Sequence, residues 1–161
     1  MLAILPAAVI FLSQAEPHPF LTTLQGAWVD YLEYPKGDKR TRLATMLRVT
    51  TLGDGRSAAM RFVYDEGPLS IMEDKHTVHL DPAAKTYRVS YESKDTTYRI
   101  SGLDSFAPGK TGTAILSGRS GTTDVRLTLT VRPNSLTMLR ETRAPGEDFV
   151  FGSVFHFTRV E

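Results

Sequence analysis

The chain has 161 residues, with 19 basic and 18 acidic side chains and no cysteine. That length suits one domain with a real core, and the balanced charge, with no run of Lys or Arg, excludes a phosphate-binding stripe and nucleic acid as an expected partner. Without cysteine there is no disulfide framework, lipobox thiol or thiol nucleophile, so stability has to come from apolar burial.

Residues 1–15 carry no charged side chain and end in Ser13-Gln14-Ala15. The segment is short for a bilayer span, Pro6 disfavours a stable helix, and small residues sit at the two positions that signal peptidase reads. The expectation is a secretory signal peptide over 1–15, although it lacks a basic n-region, followed by one domain over 16–161. The product is then periplasmic or secreted, with no stable membrane span after cleavage. Pro19 to Gln25 offers one helical turn at most.

From Gly26 onward the chain reads as short strands separated by turn signals. Gly26 to Tyr34 is the first strand, reversed at Pro35 to Asp38. Arg42 to Thr51 places Leu43, Thr45, Leu47 and Val49 on one face and Arg42, Ala44, Met46 and Arg48 on the other. Asp54-Gly55 is read as a tight hairpin with both residues at positive φ, leading into Arg56 to Glu66, where Ala58, Met60, Phe62 and Tyr64 share a face. A short run at Leu69 to Met72 precedes strands at His76 to Leu80, Lys85 to Glu92 and Thr96 to Gly102. Leu103 to Gly112 breaks the alternation and is expected as the longest loop, a lid or portal at the rim. Gly112 to Arg119, Thr122 to Arg132, Ser135 to Arg143 and Asp148 to Val160 complete the series.

About ten strands joined by hairpins predict an all-β fold, a single antiparallel up-and-down barrel of eight to ten strands, with a two-sheet sandwich as the alternative. A closed barrel has an interior, and the residues expected to line it are Met60, Phe62, Tyr64, His76, Tyr87, Tyr91 and Tyr98. Several phenols on one inner surface need polar partners or water, which suits a ligand cavity and equally a wet mouth. His76 is read chiefly as a core-edge imidazole. It pairs with His79 in an H-x-x-H spacing that suits a metal on a helix, but on a strand the two rings point to opposite faces, so no metal site is expected. Phe149, Phe151, Phe155 and Phe157 form an aromatic stripe at strand period, read as core packing, and His156 beside them is read as structural.

Catalytic signatures are few. No Gly-x-Ser-x-Gly elbow, P-loop, dinucleotide fingerprint or His-Glu-x-x-His occurs. Glu66, Glu73 and Asp74 are read as solvated carboxylates near strand ends, and the expectation is a protein that is not an enzyme and needs no cofactor.

Leu24-Gln25-Gly26-Ala27-Trp28 resembles the Gly-x-Trp entry of lipocalins and their calycin relatives, and Phe155-His156-Phe157-Thr158-Arg159 resembles their closing strand. The resemblance implies that Trp28 closes the base of the barrel and that Arg159 packs across its ring, a cation–π contact of about 1 kcal/mol or more once desolvated. It departs from the family in lacking a Cys pair and the middle loop motif. The shape also suits the fatty-acid-binding and haem-binding branches, where His156 would be the first ligand to test, and bacterial lipocalin-like domains of undefined function. The function implied is an exported barrel, monomer or homodimer, that holds a small, largely apolar molecule. The alternative is a packed barrel that serves as a structural or protein-interaction module, and a calycin-type enzyme comes third.

Overall fold

The computed structural model describes residues 15–160. The signal-peptide reading therefore falls outside the described residues, apart from Ala15. A six-residue helix α1 (Pro19–Leu24) leads into ten strands: β1 (Gly26–Lys36), β2 (Lys39–Thr51), β3 (Ser57–Asp65), β4 (Ile71–Asp81), β5 (Thr86–Tyr91), β6 (Lys94–Ser101), β7 (Gly112–Ser120), β8 (Thr123–Arg132), β9 (Ser135–Arg143) and β10 (Val150–Val160). Each strand pairs antiparallel with its chain neighbours, and β10 returns to pair with β1, so the sheet closes into the up-and-down barrel that the hairpin spacing predicts. A sandwich is excluded because one sheet meets itself.

Odd-numbered strands run from the α1 end to the opposite end, and even-numbered strands return. The turns at 37–38, 66–70, 92–93, 121–122 and 144–149 consequently surround one mouth, while those at 52–56, 82–85, 102–111 and 133–134 gather with α1 at the other end. Alternation aims one face of each strand inward, with a break at Gly152 in β10. At the α1 end this face is dry: Phe20, Leu21, Leu24, Trp28, Leu80, Ala114 and Leu136 have no exposed surface, and Leu47, Val49, Val78, Ile100, Leu129 and Val131 have almost none. His18 starts α1 by accepting the Phe20 amide on Nδ1 at 3.2 Å, and Pro19 fits the first helical turn because its missing N–H would have no intrahelical partner there.

Four local expectations are corrected. The run at Leu69 to Met72 and the strand at His76 to Leu80 are one strand, β4. The polar triplet Glu73-Asp74-Lys75 reads as a break, but its outer members continue the alternation, with Glu73 bonded to Arg61 at 2.7 Å and Lys75 at 3.0 Å. The Asp54-Gly55 hairpin is wider than two residues, and of that pair only Gly55 has positive φ, at 68°. Asp54 instead locks the turn with its carboxylate, which accepts the amides of Arg56 and Ser57 at 3.0 and 2.8 Å. Gly55 is required for space as well, since a Cβ there would lie 2.8 Å from the Glu16 carbonyl oxygen.

The segment Leu103 to Gly112 is not at the mouth. Strand β6 descends toward α1, so the loop closes the floor, with a 3-10 turn over Leu103–Ser105 and the Phe106 ring edge-on to Phe20 at 4.9 Å. The aromatic stripe of β10 is also split. A bulge at Gly152 shifts the register between Phe151 and Ser153, so Phe155 and Phe157 face inward while Phe151 lies outside under Arg40 at 4.2 Å. Phe149, just before the strand, sits between Arg126 and Arg143 at 4.1 and 4.5 Å.

Candidate ligand-binding site

The floor is built on Trp28. Its indole N–H donates to the Leu24 carbonyl at 2.8 Å, which ties the first strand to the end of α1. Arg159, its cross-strand partner on β10, places its guanidinium 4.0 Å from the centre of the Trp28 rings and donates to the carbonyls of Pro133, Gln25 and Thr23 at 2.9, 2.7 and 2.8 Å. A guanidinium suits this position because its fork reaches three acceptors while its plane covers an aromatic face. Together with Phe20, Phe106 and Phe157, the pair seals that end.

Above the floor the same inward faces are only partly covered. Leu32 and Leu43 on β1 and β2, Tyr98 on β6, Leu127 on β8, Met138 on β9 and Phe155 on β10 pack against the core but keep exposed surface. The inward set is therefore fully buried in the lower half of the barrel and partly exposed toward the mouth, the region called the cup below. Aromatic rings line one wall. Phe62 lies 5.4 Å from Phe155 and 5.5 Å from His76, and His76 stacks on Tyr91 at 4.7 Å.

Polar groups are set into this apolar surface. Asp74 is inward because β4 pairs it with Phe62, and it accepts the Tyr91 hydroxyl at 2.9 Å. Burial, with the Asp74 charge beside it, pushes the Tyr64 phenol well above its ordinary value, and the hydrogen bond to Asp74 pushes Tyr91 up to about 12. Burial holds the His76 imidazole below its ordinary value, with Asp74 acting in the opposite sense. Both phenols are thus donors and the histidine is held toward its neutral form at neutral pH. On the far side, β9 pairs Arg140 with Leu127 and Ser153, which directs its side chain inward near the rim. Tyr98 also faces inward, from β6, where its ring lies along the wall against Gly118. Burial raises that phenol, and the Arg140 charge opposes the rise.

A second polar cluster lies outside, at the turn before β3. The Ser57 hydroxyl donates to Asp54 at 2.5 Å and lies 2.9 Å from His79 Nδ1. The serine sits between the acid and the imidazole, an order in which the histidine is not oriented by the carboxylate to activate the hydroxyl. Its work is to lock the turn.

No protein-family model and no curated protein matches the chain. Among solved structures it resembles the S-type phycobiliprotein lyase CPES of Guillardia theta, with a TM-score of 0.61 and 10% identity over 88% of this chain and 91% of that one. The two chains share the fold. Identity this low carries the architecture alone. In this barrel, Met60, Phe62, Tyr64 and Tyr87 are buried in the core, whereas His76, Tyr91 and Tyr98 keep exposed surface toward the mouth. His76 and His79 face opposite sides of β4, as strand geometry requires. His156 points outward onto Tyr31 at 5.0 Å, so it cannot serve as an interior haem ligand.

Sequence reasoning placed Asp74 on the surface and passed over Arg140. Both carry a readable signal. Extending the His76, Val78, Leu80 face back by two residues reaches Asp74, and extending Leu136, Met138 forward by two reaches Arg140. Their charge masked the period.

Proposed function

We propose that the barrel binds a small, largely apolar molecule in the upper half of its interior and acts as a carrier, delivered by the segment 1–15 to the periplasm or the cell exterior. The observation that carries this reading is the contrast within one inward-facing set of side chains, complete burial below and partial exposure of Leu32, Leu43, Leu127, Met138 and Phe155 above. Apolar groups left wet inside a concave wall gain roughly 25 cal/mol for each Å² that a ligand covers, and the few hydroxyls, the carboxylate and the guanidinium around them would orient it. The phycobiliprotein lyase of like fold makes a bilin one member of that class to include among the probes.

Native mass spectrometry of protein purified from its host compartment tests the proposal. A co-purifying small molecule, lost on denaturation and displaced by a fluorescent fatty acid, haem or a bilin, is the expected result. A clean apo mass with no saturable binding of any of these probes overturns it and turns attention to protein partners.

A further inference from the structure

We infer that the outer wall of β1 to β4 is the contact face of a homodimer, on which a second copy of the chain sits with its strands running antiparallel. Trp28, Leu47 and Phe62 are buried inside the barrel, so alternation directs their neighbours Val29, Met46 and Val63 outward. The register places these three side by side, with Met46 paired to Val29 on one side and to Val63 on the other. The result is an apolar row facing water, at positions where β8 carries Arg126, Thr128, Thr130 and Arg132. Met46 is 56% exposed, and Ile71, on the mouth side of the row, is 74% exposed. The row lies along a groove of about 460 Å3. A connected apolar patch on the outside of a barrel is a surface that gains by being covered.

The charges around the row indicate what covers it. Asp30 and Asp65 border the groove on its mouth side, while Arg48 lies on the floor side, in a cross-strand row with Arg61 and Lys75. Among the described residues Asp30, Asp65 and Arg48 form no ion pair, whereas Arg61 and Lys75 share Glu73. The face is thus acidic on one side of its apolar row and basic on the other. A two-fold axis that lies in the contact plane and runs across the strands turns the second copy end over end. It sets the apolar row on its own equivalent and brings Asp65 of each copy over the basic row of the other, beside Arg48. An axis along the strands would set acid on acid and base on base. A second copy therefore carries the complementary pattern by symmetry. The closed barrel offers no free strand edge to extend, so the contact is made by side chains. None of this depends on what the interior holds.

The test is sedimentation velocity of the purified protein from about 1 to 100 µM, a range that brackets a specific dimer. The variants are Met46→Lys, Arg48→Asp, Asp65→Arg, the double reversal Arg48→Asp with Asp65→Arg, and Ile115→Lys, each verified as folded by circular dichroism. Ile115 is also an exposed apolar residue, but it lies on β7, five strands from β2 around the ring. The expected result is a wild type that reaches twice the chain mass within the range and a Met46→Lys variant whose dimer Kd rises by about a hundredfold or more. Each single reversal should raise it about tenfold, the double reversal should return it to within about threefold of wild type, and Ile115→Lys should not move it. A wild type that stays monomeric up to the highest concentration overturns the inference and leaves the patch to a different protein. It is equally overturned if Met46→Lys leaves the dimer intact, if Ile115→Lys weakens it as much, or if the double reversal is as weak as the single ones.

Discussion

The ring of Tyr98 occupies the place where a side chain on Gly118 would begin, 2.7 Å from its ideal Cβ. The glycine is required here for space on the inner wall of β7, because its φ lies outside the left-handed region. Gly118→Ala should drive the phenol off its rotamer and into the cup, costing about 1–3 kcal/mol in urea unfolding. The same variant should weaken binding of the fluorescent fatty acid, whereas Gly121→Ala, on the rim turn with nothing near its Cβ, should leave binding unchanged.

Arg159 holds three carbonyls and one indole face, so its removal opens the floor. Arg159→Met is expected to lose about 1–2 kcal/mol, since three carbonyls, two at the surface and one half-buried, lose charged donors that an apolar side chain cannot replace. Arg159→Lys should recover little, because a single ammonium cannot span the Pro133, Gln25 and Thr23 carbonyls and cover the ring together. Trp28 is the chain's one tryptophan, and its emission maximum should move to the red in Arg159→Met and stay in place in cup variants such as Arg140→Gln.

Floor and cup should separate in mutagenesis. Phe20→Ala removes a fully buried ring that packs on Tyr87 and Phe106 and should cost about 3–5 kcal/mol in thermal unfolding. Tyr91→Phe removes only the hydroxyl donated to Asp74 and should move the unfolding midpoint little, with its larger effect on which probes the cup accepts. Equal losses from both would contradict the division of the interior into packed and open halves.

Acid stability follows from the directions of the shifts. Glu33, Glu73 and Asp124 are held below the ordinary carboxylate value by their arginine partners, Glu73 down to about 2, and Asp54 by the Ser57 hydroxyl. Groups with depressed folded values stabilise the fold above the unfolded value, near 4.5 for Glu73, and lose that contribution as pH falls toward 2. His18 and His76 are depressed by burial, so each adds a smaller loss that begins as pH drops below 6.5. Urea midpoints measured from pH 8 to pH 2 should therefore decline gently at first and steeply below about pH 4. His76→Gln should flatten the first limb, and a midpoint that rises below pH 4 would refute the account.

Export makes a separate prediction. N-terminal sequencing of protein recovered from the periplasm or medium should begin at Glu16. A chain that begins at Met1 in the cytoplasmic fraction would remove export and leave the barrel's binding role standing.

The architecture was legible because alternation and turn chemistry are local. Val125, Leu127, Leu129 and Val131 against Arg126, Thr128, Thr130 and Arg132 identify a half-buried strand without any partner in view, and a dozen residues of the same kind on either side leave little choice but a meander. What misled were places where a local signal had a tertiary cause. The Gly152 bulge cannot be seen in a run of phenylalanines, so Phe149 and Phe151 read as core although arginine planes cover them outside. Leu103 to Gly112 looked like a lid because loops at a mouth are long, yet only the parity of the strand count decides which end a loop occupies. Asp74 and Arg140 were hidden by the rule that charge means surface. In a barrel that is open at one end, the inner wall near the rim is exactly where that rule fails.

The pairing of β1 with β10 joins the first strand of the domain to the last. Every other ladder links chain neighbours and can form as the polypeptide emerges, but this one requires bringing Gly26 and Val160 together after the entire domain has been made. Until then the growing sheet has two unpaired margins, and Arg159 has no indole to cover. The closing ladder is therefore the one of highest sequence separation, and the entropic cost of joining its two strands has to be met before Trp28 gains its cover.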